Sequence, residues 1–383
     1  MSTVVAMPPV KREDQSTPSV SPAAPASVAF HYTQTESFVA LLQQLGASLL
    51  VSTYQANKLL VARVAGGGLS MLVRTFERPM GLAVDAHRLT IGTRNQIWFL
   101  RNAPDIAPQV EPAGQHDACY LPRSCHVTGD IGVHETAWAA PHPQPLSPEG
   151  RGEKELWIVN TRFSCLCTLH PDYSFVPRWR PPFITALAAE DRCHLNGLAI
   201  VDGRPKYVTA LGETDTAGGW RANKPQGGCL MDVNSVEVIS RGLSMPHSPR
   251  LHDGRLWLLE SGTGQLVLVD AASGQRQTVA ALPGFTRGMA LCGPYAFIGL
   301  SKIRKTSAMD GVPLAERREQ LKCGVAVVDL RSGQVIAFLE FQTAVEEIFD
   351  VQLLPGLRFP EVIGFQQETI QHTFIVPPVI PDP

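Results

Sequence analysis

The chain has 383 residues, 44% of them hydrophobic and 18% charged, with a formal net charge of −2. This excludes a collagen-like or strongly polyampholytic chain and leaves enough apolar material for a large core. The near-zero charge argues against a nucleic-acid binder, which carries a basic excess. No apolar run approaches the ~20 residues of a membrane helix, so neither a nucleic acid nor a membrane is expected as partner.

Residues 1–34 are rich in Pro, Ser, Ala and Val without a period, which predicts a disordered arm. The N-terminal run has no basic region followed by an apolar one. The eight Cys form no C-x-x-C pair. Cys165 and Cys167, on one face of a strand, read as small apolar filler. Unpaired thiols in this number fit a reducing, cytoplasmic setting. Over Glu36–Leu45, Phe38, Leu41, Leu42 and Leu45 share one face and Gly46 follows as a cap, so a short amphipathic helix is predicted.

Beyond it the chain reads as short strands and turns, and a unit recurs: a small residue, an apolar run, a turn, a second run, a polar turn, a third run. Clear copies are PMGLAVDAHRLTIGTRNQIWFLRN from Pro79, LNGLAIVDGRPKYVTALGETD from Leu195, HSPRLHDGRLWLLESGTGQLVLVD from His247 and RGMALCGPYAFIGLSKIR from Arg287. A fifth is VTGDIGVHETAWAA resumed at ELWIVNTRFSCLCTL, and a sixth begins EIFDVQLL at Glu347. Aligned on Gly81, Gly129, Gly197, Ser248, Gly288 and Ile348, they step by 48, 68, 51, 40 and 60 residues. The longest step contains residues 141–153, PHPQPLSPEGRGE, a loop inserted into a hairpin that resembles a translated interspersed bacterial repeat.

Steps of this length with four short strands each match β-propeller blades. The sixth copy lacks its later strands, and SLLVSTY from Ser48, KLLVARV from Lys58 and LSMLVRTF from Leu69 supply them. The predicted fold is therefore an all-β, six-bladed β-propeller over residues 35–376, closed by N-terminal strands pairing with the C-terminal blade. Closure hides edges that an open ring leaves unpaired. A pair of β-sandwiches is also rich in short strands, but it explains neither the shared turns nor the borrowed strands. Residues 312–322 read as a short helix, 359–374 as an extension, and 377–383 as a Pro-rich tail.

In a propeller the innermost strands line a central channel, so the repeat alignment decides which residues meet at its mouth. Three residues before the aligned position stand Arg78, His126, His194, Met245, Phe285 and Val345; one residue before stand Met80, Thr128, Asn196, His247, Arg287 and Glu347. His126, His194 and His247 thus come from consecutive blades. Three converging imidazoles have the composition of a divalent metal site, with Glu347 and Asn196 placed to complete or orient it. Without a metal, imidazoles act as acid and base near neutral pH, or simply bond backbone at strand starts. Arg94, Arg162, Lys302 and Arg304 fall in loops of the same face, joined by Arg287 and Arg250. These cations favour an anionic ligand, a carboxylate or phosphate, unless acidic neighbours simply pair with them. The stretch 212–228, with Trp220 inside, reads as a lid or a plain surface loop. No Gly-rich phosphate loop and no G-x-S-x-G elbow is present.

The strings DRCHLNGLAIVDGRPKYVTALGETDTAGGWRANK, GLSMPHSPRLHDGRLWLLESGTGQLVLVD and VEEIFDVQLLPGLRFPEV resemble a bacterial family of conserved hypothetical proteins, a domain of unknown function. That resemblance spans about residues 30–362 and implies a propeller-like protein with no assigned activity. Asn196-Gly-Leu-Ala before Asp202-Gly203 is also similar to the gluconolactonase and regucalcin-like propellers. There the matching Asn binds a divalent cation, which would give that role to Asn196; the acidic ligands of that family have no clear counterparts here. Two classes of function follow. One is a hydrolase or lyase acting on a small anionic substrate, with His126, His194, His247 and Glu347 catalytic and Arg94, Arg162, Asn196, Arg287 and Lys302 holding the substrate. The other is a non-catalytic propeller that binds a peptide or partner protein.

Overall fold

A computed structural model describes residues 29–140, 154–305, 308–365 and 368–376. Six sheets of antiparallel strands stand in a ring, a six-bladed β-propeller. The innermost strands are Leu82–Val84, Val133–Ala139, Leu195–Val201, Pro246–His252, Phe285–Cys292 and Asp350–Pro355. Each packs against the innermost strand of the next blade, and the sixth packs against the first.

Closure runs as the repeat count requires. Ala47–Thr53 pairs antiparallel with Asp350–Pro355, with Leu49 opposite Leu353 and Val51 opposite Val351. Lys58–Ala65 and Gly68–Thr75 follow outward, so three N-terminal strands complete the last blade. Every residue of Ala47–Thr53 is buried, which is the pattern of a strand covered on both faces. The chain ends add two more edge strands. Tyr32–Gln34, inside the segment expected to be disordered, pairs with Gln334–Phe341 of the fifth blade. Pro360–Val362 runs parallel to Ala118–Val127 of the first.

The helix forms over Glu36–Leu45, and Gly46 caps it at φ 57°, a left-handed conformation that glycine adopts without penalty. Its buried residues Phe38, Leu41 and Leu42 share a core with Phe297 and Val327 of the fifth blade and Leu49 and Val351 of the sixth. The helix seals the outside of the seam where the ring closes. The segment expected to be helical near 312–322 is a 3-10 helix, Pro313–Gln320. Residues 1–28, 141–153 and 377–383, which hold most of the expected arm, the insertion and the tail, lie outside the described residues.

Two of the six alignment positions differ from the repeat reading. In the second blade the position of Gly81 is held by Glu135, six residues after Gly129. In the sixth it is held by Asp350, two residues after Ile348. The corrected ring is Gly81, Glu135, Gly197, Ser248, Gly288 and Asp350, which alternates glycine with a polar side chain. Each glycine lies where the next blade leaves no room. A Cβ on Gly81 would stand 2.7 Å from the His134 carbonyl oxygen, and one on Gly288 would stand 2.6 Å from the Val351 nitrogen. Each polar residue bonds the blade after it. Glu135 accepts from the Leu198 amide at 2.7 Å, Ser248 Oγ from the Gly288 amide at 3.2 Å, and Asp350 from the Leu82 amide at 2.8 Å. Backbone amides at the axis have no strand partner there, so these bonds satisfy donors that would otherwise be buried alone.

Candidate functional site

The corrected ring brings together two tiers of side chains. One residue before each aligned position are Met80, His134, Asn196, His247, Arg287 and Phe349; three before are Arg78, Gly132, His194, Met245, Phe285 and Glu347. Ten of these twelve line one cavity of about 250 Å³, and Asn196 and Glu347 are the exceptions. The local backbone explains the inward aim of the second tier. Arg78, Gly132, His194 and Met245 all have positive φ, at 48°, 62°, 50° and 48°. On entry to three of the strands this left-handed backbone turns Arg78, His194 and Met245 over the channel. Three of the four are not glycine, and such strain is characteristic of functional sites.

Three imidazoles meet here, but they are His134, His194 and His247. The ring of His134 is 5.5 Å from that of His194 and 5.3 Å from that of His247. His126 is on the outermost four-strand edge of the first blade, and its Nε2 bonds the Tyr173 carbonyl of the second blade at 3.0 Å. The structure does not bring it to the cluster.

Partners fix the protonation of the rings. Arg287 Nη2 stands 2.7 Å from His134 Nε2. A guanidinium only donates, so this nitrogen accepts and the ring is neutral. Burial, then the charge of Arg287, holds the His134 pKa well below the usual 6.5. His247 places Nδ1 2.9 Å from the Met245 carbonyl oxygen, which only accepts, so Nδ1 carries the proton. Ser261 Oγ is equally close. Burial and Arg287 lower this pKa too. His194 directs Nδ1 to the Asp191 carboxylate at 2.9 Å. Asp191 is in turn held by Trp220 Nε1 at 3.0 Å, and the Trp220 ring lies 4.4 Å from that of His194. Among the described residues neither His194 Nε2 nor His247 Nε2 has a hydrogen-bond partner, and both rings line the cavity.

Arg287 is the site's central charge. It is only 8% exposed and its guanidinium lies 3.5 Å over the Phe349 ring. It forms no ion pair among the described residues, and its Nε is buried without a partner. Burial lowers its pKa to about 10. Arg78, half-buried, lines the rim with its guanidinium 5.8 Å from the Tyr54 ring.

The other residues expected at the site do different work. Glu347 is fully buried, taking the Tyr54 hydroxyl on one oxygen and Arg304 Nε at 2.8 Å on the other. Burial and this carboxylate push the Tyr54 hydroxyl up to about 12. Asn196 donates to the Pro246 carbonyl at 2.9 Å and accepts from Thr209 Oγ1 at 2.5 Å. Its amide ties strands together and does not line the cavity. Arg94 and Arg162 are exposed and share Asp130, at 3.9 and 3.2 Å. Lys302 does not line the cavity. Among the described residues no group of three or more His, Cys, Asp or Glu has metal-holding geometry. A guanidinium already occupies His134 Nε2, which leaves that atom unavailable as a metal ligand in this arrangement. The stretch 212–228 roofs the cavity through Trp220, and Lys224 Nζ ties it to the carbonyls of Ala308 and Asp310, at 3.1 and 2.7 Å.

Comparison with known proteins places this architecture in a family. The model of a domain of unknown function, DUF4915, matches residues 36–363. The chain belongs to this family. No curated protein matches it. Among solved structures, a chain in the crystal structure of a nidogen/laminin complex is similar, with TM-score 0.50 and 12% identity, over 81% of this chain and 99% of that one. A protein of unknown function from Bacteroides caccae is similar with TM-score 0.45 and 10% identity, over 80% of this chain and 98% of that one. At 12% identity the likeness to the nidogen/laminin chain is one of fold. No helix among the described residues is long and apolar enough to cross a membrane.

Beneath the cavity the axis of this DUF4915 propeller is filled by ions that pair with each other. Arg250 bonds Glu135, and its remaining donors reach the carbonyls of Met289, Leu198 and Pro249 at 3.1, 3.2 and 2.8 Å. Burial and the Glu135 charge push the neighbouring Asp350 carboxyl up to about 7. Below this layer a wider opening of about 700 Å³ faces the opposite side, lined by Arg250, His252, Gln352 and mostly apolar residues.

Proposed function

We propose that the DUF4915 propeller binds a small organic anion in the 250 Å³ cavity and acts on it as a hydrolase or lyase, with His194 as general base. The observation that carries this reading is Arg287, a buried guanidinium with no carboxylate partner among the described residues, facing a cavity beside two imidazoles with free Nε2 atoms. A buried, incompletely bonded charge is costly and is expected where a ligand completes it. Hydrolysis and elimination both begin with removal of a proton, from water in one case and from carbon in the other. His194 Nε2 is suited to either, because Asp191 orients the ring through Nδ1. His247, its proton fixed on Nδ1, supplies a second acceptor.

A partner protein at the same face is the second reading, suggested by the occurrence of a similar fold in a nidogen/laminin complex. The cavity weighs against a peptide, since its volume is below the ~300 Å³ at which drug-sized sites begin. The test is incubation of the chain with a panel of small organic acids, with depletion followed by mass spectrometry. Depletion of one acid by the wild type but not by His194→Gln supports the enzyme. An acid that binds through Arg287 and is never consumed supports a binding role in place of catalysis.

A further inference from the structure

The charge and size of the cavity narrow the ligand further, and this step rests on the anion reading above. We propose that the ligand is a monocarboxylate carrying a compact, flat, apolar body. The single negative charge follows from what surrounds the guanidinium. Among the described residues Arg287 is the one buried cation lining the cavity. His134 accepts from it and His247 directs its Nδ1 proton to a carbonyl, so these two imidazoles add no positive charge, and the third, His194, is matched by the Asp191 carboxylate that its Nδ1 faces. Arg78 contributes at the rim alone. Behind the wall stand Glu347, Glu135 and Asp350, whose fields act on Arg287. One negative charge balances this arrangement. A phosphate monoester, carrying close to two negative charges at neutral pH, would place an uncompensated charge opposite those carboxylates.

The donor geometry agrees. A guanidinium presents a planar fork matched to a carboxylate. His134 occupies only Nη2 of Arg287, and among the described residues Nη1 makes no hydrogen bond and is not enclosed like Nε. The body of the ligand follows from the walls. Phe285, Phe349, Met80, Met245 and Trp220 present aromatic faces and thioethers, surfaces that favour flat apolar groups. The volume of about 250 Å³ equals about eight water molecules at their liquid share, the scale of a benzoate and far below that of a nucleotide.

The test is isothermal titration of the full chain with benzoate, phenyl phosphate, benzyl alcohol and inorganic phosphate. The proteins are the wild type, Arg287→Met, Arg287→Lys and Arg94→Ala. Benzoate is expected to bind one to one, at least tenfold more tightly than phenyl phosphate or benzyl alcohol. Binding should weaken at least tenfold in Arg287→Met, weaken less in Arg287→Lys, and hold in Arg94→Ala. Circular dichroism confirms that each variant is folded, and Arg287→Lys, which keeps the charge, carries the test if Arg287→Met is not. Phenyl phosphate binding as tightly as benzoate, with the same dependence on Arg287, overturns the monocarboxylate assignment and leaves the anion reading standing. Benzoate binding indifferent to Arg287 overturns both. Absence of binding by every probe overturns the proposed ligand class, while the acid-depletion assay still decides the function.

Discussion

Two buried arginines lie one above the other near the axis, and replacing each with Met separates the role of the cavity from that of the layer below. Burial takes the Arg287 guanidinium to about 10, a fall of roughly 2.5 from its ordinary value, and at 1.36 kcal/mol per pH unit this is a cost of about 3 kcal/mol. Arg287→Met removes that cost. It also removes a charge-assisted bond to His134, worth about 1.5–3 kcal/mol, and the contact over Phe349, worth roughly 1 kcal/mol. The gains and losses nearly cancel, so the expected change is within about 1 kcal/mol. Arg250 differs because it is bonded to Glu135 and to three carbonyls. Arg250→Met leaves Glu135 and Asp350 facing one another, and breaking such a buried pair costs about 3–5 kcal/mol. The assay is urea unfolding at neutral pH, comparing midpoints at a common slope. If Arg287→Met is as destabilising as Arg250→Met, then Arg287 is part of the structural framework and the argument that it awaits a ligand fails.

The remaining predictions concern the imidazoles and the ring of aligned residues. Burial and Arg287 depress the pKa of His247, so the folded chain keeps the ring neutral while the unfolded chain takes up a proton below about 6.5. The stability that His247 contributes is present above 6.5 and is lost as pH falls. Wild type should therefore lose about 1.4 kcal/mol per pH unit relative to His247→Gln in that range, and parallel stability curves from pH 7.5 to 5 would refute this. The opposite slope from Asp350, common to both proteins, cancels in the difference. Gly197→Ala should destabilise by about 1–3 kcal/mol, because its Cβ would strike Pro249 of the next blade; an unchanged melting temperature would contradict the close blade approach. Asn196→Ala should lower stability by about 1–3 kcal/mol through the orphaned Thr209 and Pro246 groups and leave ligand affinity within twofold. His126→Ala should change neither stability by more than about 1 kcal/mol nor benzoate binding, since its ring bonds only carbonyls at the outer edge of a blade. A loss of binding would return His126 to the site.

The architecture was legible because a propeller repeats its pattern once per blade. The closing strands were legible because the sixth copy visibly lacked them, and residues 48–75 had no other sheet to join. The site was half legible. His194, His247 and Arg287 come from blades whose aligned positions are Gly197, Ser248 and Gly288, small residues easily matched to one another. The second and sixth blades carry Glu135 and Asp350 there, because a carboxylate at that place reaches the next blade's amide. An alignment seeking a small residue passes over both. It settles on Gly129, which lies in a turn before the strand, and so selects His126 instead of His134. The two-residue slip in the sixth blade likewise replaces Phe349 with Glu347. Asp191 was beyond reach for another reason: only the positive φ of His194 turns that ring back to a carboxylate three residues earlier.

The two layers of the axis divide stability from function. In the lower layer the charged groups have partners of their own chain. Arg250 pairs with Glu135, and Asp350 receives the amides of Leu82 and Val351. In the upper layer three non-glycine residues hold left-handed backbone, Arg287 has no ion pair among the described residues, and two imidazoles have a free Nε2. Such a layer costs free energy that the blades must offset, and a chain selected for stability alone would fill it with apolar residues. Comparable packing at the same depth was available, since the first and sixth blades place Met80 and Phe349 there. That the second, fourth and fifth blades place His134, His247 and Arg287 at equivalent positions is therefore a choice of chemistry over packing. The corollary is specific. Replacing both partners of the buried bond, His134→Met together with Arg287→Met, should hold or raise the urea midpoint while abolishing turnover, and a double variant that lost both would place this pair in the structural framework.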